Sequence, residues 1–283
     1  VNTSKALIII GLIVSSLTAS AQPRGVYPIL VHPQGFDGAP DLLSVVVDGQ
    51  FREGEEAAKR LKGGESYRVV SGTGALGQAK GGKAVSAGEP CASNYSVALT
   101  PKPTNARWWI ATTAPWNLQP RPVTALDTKN PTYVSVVSDY LEQAGLPNAD
   151  VQIKRLWRVD LEGDKQDEVI IVARKFAEHD DPLFPPVNGQ QGDYSVVLVR
   201  KIVGGRLETI DLGTDVTLEN PDPNSSNPPN LANQYDVPLV MDLNGDGRME
   251  LVFWSAYYEG ETTSVMEWSG SQFRTMVSAG CGA

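Results

Sequence analysis

The hydrophobic pattern changes character several times along the chain. It opens on an apolar run, Ala6-Leu7-Ile8-Ile9-Ile10-Gly11-Leu12-Ile13-Val14, preceded by one charge, Lys5, and followed by Ala19-Ser20-Ala21. A basic start, a short apolar stretch and an Ala-x-Ala site read as a signal peptide over residues 1–21. The run falls short of the ~20 residues a membrane span needs. No span is therefore expected after signal cleavage, and the expected location is the periplasm or the extracellular medium.

Residues 22–125 read as a β-rich region of no nameable type. Residues 22–40, rich in Pro and Gly, are expected to form an extended lead-in. The β-branched run Leu42 to Val47 ends at an Asp48-Gly49 turn signal. Glu53 to Leu61 carries helix formers and a Glu55/Lys59 pair at i,i+4, and stops at Gly63-Gly64. Ser66 to Ser71, Tyr95 to Leu99 and Trp108 to Thr112 read as strands, and Gly72 to Gly88 as a loop or irregular hairpin. Residues 126–149 form a connector holding one clear helix. Asn130 caps it, Pro131 suits its first turn, Val134, Val137 and Leu141 recur at helical spacing, and Gly145 ends it.

From residue 150 to 283 the chain repeats itself. Between 160–170 and 242–252, five of eleven positions are identical: Asp, Leu, Gly, Asp and Glu. Each copy has an apolar strand, an acidic loop, a second strand and then a strand–turn–strand pair. The expected fold is mainly β, built of antiparallel four-stranded units in a propeller-like or stacked-sheet arrangement, with one or two short helices. Two Pro- and Asn-rich insertions, 177–192 and 219–234, are expected on the surface.

Charge narrows the function. The 283 residues carry 24 Lys and Arg against 33 Asp and Glu, a net charge of −9. That argues against nucleic acid, whose phosphates need clustered cations. Two Cys and two His are too few for a thiolate or His-rich metal site. The acidity instead concentrates in the repeated loops. Asp242, Asn244, Asp246 and Glu250 place side-chain oxygens at loop positions 1, 3, 5 and 9, with the Arg248 carbonyl available at 7. Calcium takes six to eight hard oxygen ligands, which such a turn can converge. An EF-hand is excluded, because position 12 is Phe253 and the flanks are strand-like.

The second loop resembles the FG-GAP (VCBS-type) repeat, D-x-[ND]-x-D-G-x-x-[DE] between two strands of a propeller blade. The resemblance covers roughly 150–283. It implies calcium held by Asp242, Asn244, Asp246 and Glu250 through side chains and by Arg248 through its backbone. It also implies an extracellular propeller used in recognition or assembly. The corresponding first-loop positions are Asp160, Glu162, Asp164, Gln166 and Glu168. There Glu162 stands where Asn or Asp is usual, and Lys165 replaces the glycine.

Weaker signals complete the reading. Cys91 and Cys281 are expected to pair, as suits an exported protein. His179-Asp180-Asp181 reads as a solvated turn before Pro182. Trp108, Trp109 and Trp116 are candidate sugar-stacking residues. Asn94 and Asn224 fit the glycosylation pattern. Nucleophile-elbow, zincin, P-loop and dinucleotide motifs are missing. The expected protein is an exported calcium-binding β-repeat module with a structural or binding role and no catalysis. Its partner would be an extracellular or periplasmic protein or glycan. The rivals are a glycan hydrolase, whose two acids need no local motif, and a lectin-like sugar binder.

Overall fold

Alternation of apolar and polar residues builds two kinds of sheet, which the computed structural model describes over residues 24–33, 38–103, 106–220 and 231–282. The signal-peptide segment and Asn224 lie outside these residues. The N-terminal strands are β1 (Val26–Pro33), β2 (Asp41–Val47), β3 (Gln50–Arg52), β4 (Ser66–Ser71), β5 (Gly74–Ser86), β6 (Tyr95–Thr100) and β7 (Trp108–Thr112). They run in the order β1-β7-β4-β5-β6-β2-β3, and β1 also pairs with β2. Six strands therefore close on themselves as an antiparallel barrel, with β3 continuing outward from β2. Closure leaves the ring without a free edge.

Alternate residues on each barrel strand point to opposite faces. Leu30, Val45, Tyr67, Val69, Val97, Trp109 and Ala111 pack in one cluster, with Ala57 of the short helix α1 (Gly54–Ala58) among them. Their neighbours Ile29, Val31, Val46, Val70, Trp108 and Ile110 belong to a different cluster, shared with the C-terminal strands. The expected lead-in is in part a barrel strand, and most of segment 72–88, expected as a loop or irregular hairpin, is the long strand β5, paired with β4 in a bulged hairpin. Its glycines serve packing: a Cβ at Gly81 would lie 2.4 Å from Tyr67.

The C-terminal part is two antiparallel meanders. The first is β9 (Ile153–Val159), β10 (Glu168–Lys175), β11 (Tyr194–Val203) and β12 (Arg206–Val216), with β8 (Thr124–Ala125) beside β9. The second is β13 (Gln234–Met241), β14 (Glu250–Tyr257), β15 (Gly260–Trp268) and β16 (Phe273–Gly282). Ile170, Val172, Val197 and Val199 of the first sheet pack against Val237, Val240, Leu251 and Phe253 of the second. The far face of the first sheet is covered by Val137 and Leu141 of helix α2 (Pro131–Gln143), which Asn130 caps through Thr132 N–H at 3.0 Å. The far face of the second sheet, including Leu239, Val252, Trp254 and Val265, packs on the barrel.

The layers are therefore helix, sheet, sheet and barrel. A repeat unit buries only one face against its neighbour, so a two-unit stack needs a cover at each end. Helix α2 supplies one cover and the barrel the other. Cys91, before β6, is disulfide-bonded to Cys281 in β16, which ties barrel to second sheet across 190 residues. Among the described residues no helix is long and apolar enough to cross a membrane.

Candidate functional site

The two acidic loops, 160–168 and 242–250, join β9 to β10 and β13 to β14 and share most of their internal wiring. In the second, Asp242 Oδ1 accepts from Gly245 N–H at 2.6 Å and its Oδ2 from Gly247 N–H at 3.0 Å. Asp246 Oδ1 accepts from Arg248 N–H at 2.8 Å, and Glu250 Oε2 from Leu243 N–H at 2.6 Å. In the first, Asp160 accepts from Gly163 and Lys165 N–H at 2.7 and 3.0 Å. Asp164 accepts from Gln166 N–H at 2.8 Å, and Glu168 from Leu161 N–H at 2.9 Å. Position 6 has positive φ in both loops, +88° at Gly247 and +70° at Lys165. Lys165 adopts the left-handed conformation that glycine takes without steric cost.

The loops are also tied together. The Arg121 guanidinium donates to the Gly247 carbonyl and the Leu161 carbonyl, both at 2.8 Å. Met249 N–H donates to Leu161 O at 2.8 Å. Trp116 Nε1 donates to the Asp242 carbonyl at 2.9 Å, and Asp242 N–H to Leu118 O at 2.8 Å. The strap 116–121 leaving the barrel thus holds both loops by their backbones.

Charge compensation is where the two loops part. One step beyond the Val169–Arg200 pair, Glu168 faces Lys201 across the β10–β11 ladder. The Lys201 ammonium bonds Glu168 Oε1 at 2.6 Å and also contacts Glu162, with both Lys201 and Glu168 buried. One step beyond the Leu251–Met266 pair, the position facing Glu250 is Glu267. A carboxylate therefore occupies the place of the ammonium. Glu250 is fully buried, and its Oε1 has no hydrogen-bond partner.

The titration behaviour follows. Burial pushes the Glu250 carboxyl well above the usual range, the Leu243 N–H opposes this, and Asp242, Asp246 and Glu267 push it further. Asp242 is raised to about 6 by burial, against the Gly245 and Gly247 amides. Burial and Asp246 also raise Glu267, with Arg248 opposing. In the first loop burial raises Glu168 against the pull of Lys201. Burial would lower Lys201, but Glu162 and Glu168 more than offset it and raise it.

Asn244 turns its Oδ1 onto Asp246 N–H at 2.9 Å, inside its own loop. Its counterpart Glu162 instead reaches Lys201 and Arg248, the latter at 3.1 Å. Among the described residues no group of three or more His, Cys, Asp or Glu side chains is arranged to hold a metal ion. The acidic side chains of each loop meet backbone amides and neighbouring side chains. Lys201, Glu267 and Arg121 give no signal in the sequence, because each lies outside its loop, and Trp116, a sugar-stacking candidate there, instead holds the Asp242 carbonyl. Only the strand register exposes Lys201 and Glu267.

The other candidates are placed as follows. Trp108 and Trp109 are both buried, one in each barrel cluster, so neither presents a face to solvent. Trp116 is half-buried and packs edge-on to Tyr27 at 4.9 Å. Asp180 pairs with Lys154 and Arg174 at 2.8 and 3.0 Å, and Asp181 caps Leu183 and Phe184 N–H at 2.8 and 3.1 Å. That triplet is a tied turn. The Asn94 amide contacts the Gly280 carbonyl. No family model, no curated protein and no solved structure matches this chain.

Proposed function

We propose that this chain is an exported, calcium-stabilised β-repeat protein whose ion binds the second acidic loop. Its role is to present a rigid surface to a periplasmic or extracellular protein or glycan, without catalysis. The observation that carries this reading is Glu250, a fully buried carboxyl with an unpartnered oxygen. It faces a second carboxylate where the sister loop has an ammonium. A buried carboxylate needs a paired cation or a proton.

Hard oxygen donors at positions 1, 3, 5 and 9 fit calcium. Asp242, Asn244, Asp246 and Glu250 would hold it by side chain, with Arg248 giving its carbonyl. The bound ion neutralises the converging carboxylates and fixes the turn between β13 and β14. In the first loop, Lys201 already supplies positive charge to Glu162 and Glu168. Asp160, Asp164 and the Gln166 carbonyl are then left without the electrostatic demand seen at Glu250. The Cys91–Cys281 disulfide supports an oxidising location.

Thermal unfolding in calcium and in chelator tests this reading. The wild type is expected to melt higher in calcium, and Asp242→Asn to lose most of the difference. Equal melting temperatures in both media would remove calcium from the account.

A further inference from the structure

A second acidic site lies outside the two loops, in a cavity of about 410 Å³ where the barrel meets the second sheet. Asp41, the first residue of β2, contributes from the barrel side. Glu261, from the start of β15, contributes from the sheet side. Glu261 accepts from Trp254 Nε1 at 3.2 Å. Among the described residues neither carboxylate has a salt-bridge partner, and no Lys or Arg lines the cavity. Phe184 and Tyr258 stand at the cavity with 47% and 42% of their surfaces exposed. His32 also lines it. The residue is only 7% exposed, and its ring packs on Trp109 at 5.2 Å between centroids.

We propose that this cavity binds an organic ammonium ion carried on a small apolar body. Two carboxylates lining one cavity without a cation attract positive charge, and aromatic faces stabilise an ammonium further. A lone metal ion is a poorer fit, because calcium needs six to eight hard oxygens and Leu183, Phe184, Ala256 and Tyr258 make much of this lining apolar or aromatic. An anion would find no donor cation. The volume falls in the range of small-ligand sites.

Supporting this, burial holds Asp41 at about 6, and burial together with Asp41 holds Glu261 at about 7. Burial and the nearby Lys102 lower His32, so its imidazole is neutral above pH 7 and one ring nitrogen can accept from an ammonium. The other titratable groups facing the carboxylates are Glu259, Tyr257 and Tyr258 of the β14–β15 hairpin.

Calorimetry with benzylamine and its neutral analogue benzyl alcohol, in calcium-containing buffer at pH 8, tests the proposal. Benzylamine is expected to bind one site, with benzyl alcohol at least about tenfold weaker. Glu261→Gln keeps an acceptor for Trp254 and should weaken benzylamine by about tenfold, as should Asp41→Asn, with the calcium-induced melting shift unchanged. Near pH 6.5, binding should release protons, read as a heat that depends on the buffer's ionisation enthalpy. Three outcomes overturn the proposal. They are equal binding of the two probes, no binding of benzylamine, and Glu261-dependent release of nitrophenol from nitrophenyl glycosides, which would make the pair a glycan-cleaving site.

Discussion

Replacing Glu250 by Gln separates the two roles that a buried carboxylate can play. In chelator, the wild type keeps a fully buried carboxyl with one oxygen unpartnered, repelled by Asp242, Asp246 and Glu267. The amide of Gln retains an acceptor for Leu243 N–H and gains two donors beside those acidic neighbours. An unsatisfied buried acceptor costs about 1–3 kcal/mol, so removing it should stabilise the calcium-free protein by about 1 kcal/mol or more. In calcium the sign reverses. For a site with a dissociation constant near 0.1 mM, within the extracellular range, 10 mM calcium stabilises the wild type by about 2.7 kcal/mol. For a chain of this size that is a melting shift of about 5–10 °C. Glu250→Gln should lose most of it. The assay is differential scanning fluorimetry of both proteins in 10 mM calcium and in chelator. Crossing curves are expected, with the variant melting higher in chelator and lower in calcium. A variant that melts lower in both media while keeping its full calcium shift would show that Glu250 is a structural hydrogen-bonding group only, and would refute the reasoning.

Three further outcomes follow from the same structure. Lys201→Met leaves Glu168 and Glu162 without their ammonium and should cost about 3–5 kcal/mol in urea denaturation; part of that loss should return in calcium, because the first loop then resembles the second. In chelator, the folded protein holds protons on Asp242 and Asp41 to about pH 6 and on Glu261 to about pH 7, above their unfolded values. The folded state therefore binds more protons than the unfolded one, and unfolding free energy should fall as pH rises from 5 to 8, whereas a rise over that window would contradict the burial of these groups. Replacing Cys91 and Cys281 by Ala opens a loop of 190 residues, and should lower stability by up to about 5 kcal/mol by chain entropy, measured by denaturant midpoint against the oxidised wild type.

Local features of this fold were legible, and features set by distant pairing were not. Asn130, Pro131 and the Val137/Leu141 spacing announce helix α2, because caps and amphipathic faces are written within one segment. The four-stranded units show as a repeat because each acidic loop sits between two apolar strands. The barrel could not be read, since its closure depends on β1 pairing with both β2 and β7, far apart in sequence. The Gly, Lys and Ser content of β5 reads as a loop or irregular hairpin, not as a long strand. Composition of that kind is weak in strands, but here Gly81 makes room for the buried Tyr67 ring. At the site, positions 1, 3, 5 and 9 were visible in each loop, while the group that decides its charge balance lies on the facing strand. Lys201 and Glu267 carry no local motif, and only the ladder register assigns them to Glu168 and Glu250. Asp41 and Glu261 are likewise ordinary residues in their own segments, brought together by the packing of barrel on sheet.

The proposed function requires one calcium ion, held by the second loop, with Lys201 serving in the first. Calcium titration by calorimetry on chelator-stripped protein counts the sites directly. One site per chain is expected in the wild type, none in Asp242→Asn, and a second site in Lys201→Met. No binding in the wild type, or a single site that survives in Asp242→Asn, would contradict it.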